Sequence, residues 1–204
     1  MKKITFLFLL LFTTSFYGQL SNYTFTQTVG AYTSVVTPTT LLSGNNDSAN
    51  SSLTNIGFNF ILDGTTYTQF SATTNGYIRL GVVGSSSAYT PISSIGQGPA
   101  IVFFARDGKT NSPVVYEITG TAPSRVLTIE YPNYYVDWSS TTNTLSAQIK
   151  LYEGSNKIEI VYGDSNRANT FTGQVGIVTN SNSNYSNRTT TTDWSNSNAG
   201  ATNS

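Results

Sequence analysis

The chain is 204 residues long and carries ten Lys and Arg against ten Asp and Glu, so its formal net charge is zero. That balance leaves no electrostatic footprint for nucleic acid or for an anionic membrane surface. The sequence contains neither His nor Cys, which excludes disulfides, the usual zinc centres, a Ser-His-Asp triad and a Cys-His nucleophile.

Lys2 and Lys3 precede the apolar run Ile4–Phe12, and small and polar residues follow to Gly18. The run is short for a bilayer and has the three-part form of a secretory signal, assigned to residues 1–18. Cleavage after Gly18 leaves Gln19 first; cleavage after Ser15 is the alternative, because Phe16 is bulky for its place before the first cut. A retained membrane anchor is the competing reading of the same run. Removing the leader takes away Lys2 and Lys3 and leaves the mature chain slightly acidic. An exported chain without cysteine points to a bacterial source over a small animal extracellular module.

In chain order, Tyr23–Thr28 alternates large residues with polar ones as a half-buried strand does, and Ala31–Val36 reads as a second short strand before Pro38. Ser43–Ser52 is polar and rich in turn formers, hence a surface loop. Ile56–Leu62 and Thr66–Ser71 flank Asp63-Gly64, a strong hairpin signal, and Asn75-Gly76 turns the chain into Tyr77–Leu80. Gly81–Gly98 reads as a long loop, and Ala100–Ala105 as a strand buried on both faces. Val114–Thr119 and Val126–Tyr131 form a hairpin in which Ile118 faces Leu127, Tyr116 faces Ile129 and Val114 faces Tyr131. The loop Ser139–Asn143 follows, and Phe171–Thr179 supplies a last strand.

The most informative stretch is Leu145–Gly163. Pairing Tyr152 with Lys157 across Glu153-Gly154-Ser155-Asn156 sets Leu151 against Ile158, Ile149 against Ile160 and Ala147 against Tyr162 on one apolar face. The other face then pairs Lys150 with Glu159 and Gln148 with Val161, in water. A slip of one residue would exchange the two faces, so the register is strongly specified.

Abundant Thr, Tyr, Asn, Gly and Ser, with no long run at helical spacing, make the chain all-β. Short strands separated by turn signals predict a two-layer antiparallel β-sandwich, jelly-roll-like, of about ten or more strands over residues 19–179. Residues 180–204 are Ser/Thr/Asn-rich and read as a linker, or as a loop ahead of a final strand missing from the sequence.

Three phrases together resemble a family: IGFNFILDGTTYTQFSATTNGYIRLG at 56–81, GTAPSRVLTIEY at 120–131, and AQIKLYEGSNKIEIVYG at 147–163. They look like the N-terminal β-sandwich module of large proteins exported by Gram-negative bacteria through the type IX system. The phrase TTNGYIRLG is also similar to the strand-turn-strand of nidogen-like extracellular domains. The chain departs from such modules at AIVFFARDG, 100–108, where an apolar-Pro-x-Trp-Asp-Asp segment is usual. The resemblance implies a secreted or cell-surface location reached across both bacterial membranes, and a module of a longer, monomeric chain. Within that context Asp47-Ser48-Ala49 looks like an acceptor for O-glycosylation at Ser48.

Tyr131, Asn133, Tyr134, Tyr135, Asp137 and Trp138 form the densest aromatic and polar cluster. Aromatic faces stack on sugar C–H surfaces and amides and carboxylates bond hydroxyls, so Asn133, Tyr134, Asp137 and Trp138 are the predicted ligand-binding residues. The competing reading is that alternate members, Tyr131 and Tyr135 among them, point into the sandwich. Glu117 and Glu130, diagonal on the outer face of their hairpin, are the one pair that a polysaccharide-active enzyme could use; a retaining glycosidase needs its carboxyls roughly 5–5.5 Å apart. Asn45, Asn46, Asp47, Asp107, Asp137 and Asp164 carry oxygens of the kind Ca²⁺ takes, but no Asp-x-Asp-x-Asp loop occurs and turn chemistry explains them. The expectation is a non-catalytic recognition, adhesion or scaffold module with no metal or cofactor. Its expected partner is a polysaccharide or another cell-surface protein; nucleic acid and, once the leader is gone, membrane are not.

Overall fold

A computed structural model describes residues 23–84, 99–166, 171, 173–179 and 185–188. The expected signal segment 1–18, most of the expected loop 81–98 and most of 180–204 lie outside the described residues. Among those described, thirteen strands occur and no helix. They are β1 (Thr39–Leu42), β2 (Asn46–Asp47), β3 (Thr54–Leu62), β4 (Thr65–Ala72), β5 (Tyr77–Leu80), β6 (Ala100–Ala105) and β7 (Lys109–Thr110). The rest are β8 (Val114–Thr119), β9 (Val126–Tyr135), β10 (Thr144–Tyr152), β11 (Ile158–Asn166), β12 (Gln174–Val178) and β13 (Tyr185–Arg188).

They form two antiparallel sheets, as expected of a sandwich. One has the order β1-β8-β9-β10-β11, with β7 beside β9 and β2 beside β7; the other runs β13-β12-β6-β5-β4-β3. Consecutive strands neighbour one another in β8–β11 and in β3–β6, so each sheet is built on a meander. The likeness to a jelly roll is that of two facing antiparallel layers.

The local chemistry explains the pairings. Asp63 and Gly64 both take left-handed backbone (φ 50° and 74°), the geometry that matches a two-residue turn to strand twist. The resulting β3 alternates strictly, with Ile56, Phe58, Phe60 and Leu62 inside. β6 is buried along its whole length: Ile101 and Phe103 join the main core, while Val102 packs with Tyr77, Ala100, Ala105 and Val178 on the opposite face. The β10–β11 register is the one the sequence dictates, from Leu151 opposite Ile158 to Ala147 opposite Tyr162. β8 and β9 likewise pair Ile118 with Leu127 and Tyr116 with Ile129. The hairpin ends are tied to β3: Arg125 bonds both oxygens of Glu153 and the carbonyl of Gly57, and Asn156 Oδ1 accepts from Ile61 N at 2.8 Å.

Four expectations change. Residues 23–28 and 31–36 are not strands; they run as an extended arm without a ladder partner among the described residues. Loop 43–52 contains the short strand β2, paired with β7. The fold does not end at residue 179, because Tyr185–Arg188 pairs with β12 inside the stretch expected to be a linker or a loop ahead of a missing strand. Finally, the outer face of β10–β11 is not all in water: Gln148 and Val161 are buried, and the arm is the reason for Gln148. Glu159, opposite Lys150, bonds the Lys157 ammonium at 2.6 Å instead.

Candidate functional site

The aromatic cluster is shaped by one extra residue. Between its pairings with Ala147 and Leu145, β9 advances from Tyr131 to Tyr134, three residues against two. This bulge sits at Asn133, whose φ is 47°, and an inserted residue reverses which face later side chains take. Tyr131 and Tyr134 both turn inward, against Phe103 at ring-centroid distances of 4.6 and 5.3 Å. Tyr135 stays half-buried, its ring under the Lys109 ammonium at 5.2 Å.

Tyr134 is therefore corrected as a ligand-binding residue. It is 1% exposed and offers no ring face to solvent. Its hydroxyl lies against Gly108, where a Cβ would stand 1.9 Å away, so only glycine fits there. The hydroxyl has no hydrogen-bond partner among the described residues, and burial pushes its pKa well up. Asn133 is exposed at the bulge, with its N–H donating to Ser146 Oγ at 3.1 Å.

Asp137 and Trp138 sit together on the loop after β9. Val136 N bonds the carbonyl of Asn143 at 3.2 Å and closes the loop. Inside it, Asp137 Oδ1 accepts from Ser139 N and Oγ at 3.0 and 2.6 Å. Asp137 Oδ2 accepts from Arg106 Nη2 at 2.8 Å, and that guanidinium also lies 4.8 Å over the Phe171 ring. Burial works against the Asp137 charge, yet the Ser139 and Arg106 donors outweigh it and hold the carboxyl below its ordinary range. Trp138 N donates to the carbonyl of Asp107 at 2.9 Å, which pins the loop to the end of β6. The indole remains 53% exposed. Beside it, burial raises the Asp107 carboxyl, with the Asp47 and Asp137 charges adding to the effect. This edge presents an exposed tryptophan on a loop held through its backbone and through Asp137, and an exposed indole suits stacking on an apolar ring face.

The other candidates fall elsewhere. Ser48 is exposed just past β2, in left-handed backbone (φ 56°), with Oγ 3.4 Å from Asp47 Oδ1. No group of three acidic side chains among the described residues is placed to hold a metal ion. Glu117 and Glu130 are diagonal across β8 and β9, as expected, but both are engaged by the arm. Tyr32 O–H donates to Glu130 Oε1 at 2.6 Å and Val35 N–H to Oε2 at 2.7 Å. Val36 N–H and Thr37 N–H donate to the two oxygens of Glu117 at 3.1 and 3.3 Å. Glu130 is only 2% exposed, so the pair is corrected as a catalytic couple: the face a substrate would approach is covered by residues of the same chain.

Sequence reasoning missed this covering arm. The signal was present in the β9–β11 register, which places Glu130 beside Gln148 and Gln148 beside Val161, an outward apolar group next to two adjacent polar ones. A second missed feature is a cavity of about 400 Å³ between the arm and β11–β12, lined by Tyr23, Phe25, Asn156, Glu159, Ile160 and Ile177 among others.

Compared with protein-family models, residues 22–204 match the family described as NIDO related. No curated protein and no solved structure matches the chain.

Proposed function

Because the chain belongs to the NIDO-related family, we propose that it works as an extracellular recognition module that holds a polysaccharide or a glycosylated surface through the Trp138 edge. Trp138 carries the reading. Its side chain is exposed, and the loop that carries it is held by the backbone bond of Trp138 to Asp107 and by the Asp137–Arg106 pair. A preformed aromatic platform binds without the cost of ordering a loop. The Lys2–Phe12 leader and the type IX resemblance support export to the cell surface as part of a longer polypeptide, and the module is read as non-catalytic.

The test is glycan-array binding of the full chain beside Trp138→Ala and Asp137→Ala. Truncating an aromatic anchor costs about 2 kcal/mol, roughly 30-fold in affinity. Wild-type binding to a defined glycan class that drops to that extent in Trp138→Ala, with an unchanged melting temperature, supports the reading. An array on which folded wild-type chain binds nothing, or binds equally with Trp138→Ala, removes it.

A further inference from the structure

The end of the sandwich away from Trp138 holds the cavity of about 400 Å³ between the arm and β11–β12, a volume within the range of ligand pockets. One wall is a sheet edge. β11 is the last strand of its sheet, and Tyr152 N–H donates to the Lys157 carbonyl at 3.1 Å. Main-chain groups alternate in direction along an antiparallel strand, so Glu159 and Val161 turn theirs to β10 while Ile158 and Ile160, which line the cavity, turn theirs away from it. Among the described residues nothing bonds those outward N–H and C=O groups. The facing wall is the arm, fixed at Tyr23, whose hydroxyl accepts from Asp63 N at 3.0 Å, and again at Tyr32. Between these anchors Thr24, Phe25 and Thr26 line the cavity and make no hydrogen bond among the described residues. The floor is apolar, with Val175 and Ile177 buried beside Ile160.

The last strand of the other sheet, β3, is treated differently. Its Gly57 carbonyl accepts from Arg125 Nη1 at 2.6 Å and its Ile61 N–H donates to Asn156 Oδ1 at 2.8 Å. Side chains thus cap that edge, as proteins do to stop unwanted pairing, and no such cap lies on Ile158 or Ile160. We propose that the β11 edge takes up an extended peptide of a partner protein as an added antiparallel strand, with alternate apolar side chains entering the cavity and an acidic residue opposite Lys157. Main-chain groups give such a site its affinity, and pockets for alternate side chains give it selectivity. The acid follows from charge: Glu159 receives the Lys157 ammonium at 2.6 Å and also lies opposite Lys150, so two ammonium groups share one carboxylate on this strip. With the arm as its far wall, the cavity admits a single strand and bars the sheet edge of a second copy.

The probe is the acetylated and amidated peptide Thr-Val-Thr-Val-Glu, which in antiparallel register sets its valines opposite Ile160 and Ile158 and its glutamate opposite Lys157. Titrated into nitrogen-labelled full chain, it should shift the Ile158 and Ile160 amide resonances downfield and saturably, and leave those of the Trp138 loop in place. Methylating both valine nitrogens removes two ladder bonds and should weaken binding about 30-fold. Lysine in place of the peptide's glutamate should weaken it about threefold, and Lys157→Glu, a change at an exposed side chain, should reverse that preference. A peptide that moves no resonance up to its solubility limit, that shifts only residues elsewhere, or that binds equally well when methylated overturns the site. A preference unchanged in Lys157→Glu overturns the acidic partner. Wild-type chain found dimeric by light scattering, with the Ile158 and Ile160 amides already protected from exchange, gives the edge to a second copy and overturns the proposal.

Discussion

Replacing Tyr32 by Phe removes one oxygen atom from the arm and tests how the outer face is held. The lost hydroxyl donates at 2.6 Å to a carboxylate that is almost wholly out of water. Glu130 would keep Val35 N–H at 2.7 Å and Gln148 Nε2 at 3.2 Å, but its Oε1 would lose that donor. A hydrogen bond to a charged group contributes about 1.5–3 kcal/mol, and an orphaned charged acceptor sits at the upper end. The expected loss is therefore about 2 kcal/mol. For a chain of this size each kcal/mol moves Tm by roughly 2–4 °C, so Tyr32→Phe should melt about 4–8 °C lower, with the urea midpoint shifted and the m-value unchanged. The ring remains to fill the space over Gly163, which separates the hydroxyl from packing. A Tm within a degree or so of wild type would refute the reasoning and mean that water serves Glu130 as well as Tyr32 does.

The remaining predictions concern the far end of the sandwich and the acidic limb. Gly108→Ala places a methyl 1.9 Å from the Tyr134 hydroxyl and should destabilise the chain by about 1–3 kcal/mol, as overpacking does; adding Tyr134→Phe should recover part of that loss in the same denaturation assay. Tyr134→Phe alone should leave stability unchanged or slightly raised, because the hydroxyl it removes is buried without a partner among the described residues; a clear fall in Tm would contradict this. Asp137 has a depressed folded-state pKa, since the Ser139 and Arg106 donors override the opposing effect of burial. Such a group contributes stability that is present above its unfolded pKa and lost as pH falls through the folded one. Amide resonances of residues 137–143 should thus hold steady down to about pH 4, the ordinary Asp range, and shift only below it. Glu153, held by hydrogen bonds from Arg125, titrates at about 2, so its carboxylate should stay ionised through the ordinary Glu range of about 4.3; a carboxyl-carbon resonance that titrates in that range would contradict this.

Where the sequence could be read, it was because two faces of one strand carried opposite demands. In β10–β11 an apolar face backs onto a polar one, so a slip is penalised at every position and the register follows from the letters alone. The turns at Asp63-Gly64 and Asn75-Gly76 were legible because few other residues tolerate the left-handed backbone of Asp63, Gly64 and Gly76. Counting by twos failed at Asn133, where one inserted residue carries Tyr134 inward and leaves Tyr135 at the surface; nothing in Tyr-Pro-Asn-Tyr-Tyr marks which residue is the extra one. The arm was misread for a different reason. Ala31–Val36 has the β-branched composition of a strand, but the N–H groups of Val35 and Val36 are met by glutamate side chains 95 and 81 residues away in sequence, and local periodicity carries no trace of that. The pairing of residues 185–188 with β12 was hidden in the same way, by a polar composition that argues against order until a neighbouring strand supplies the ladder.

Trp138 is the proposed contact surface. The chain has two tryptophans, so Trp194→Phe leaves the emission of Trp138 alone to be followed as the glycan found on the array is added. A saturable blue shift of that emission is expected, with a midpoint equal to the binding constant measured without fluorescence. A spectrum that stays fixed while the glycan is demonstrably bound would contradict it.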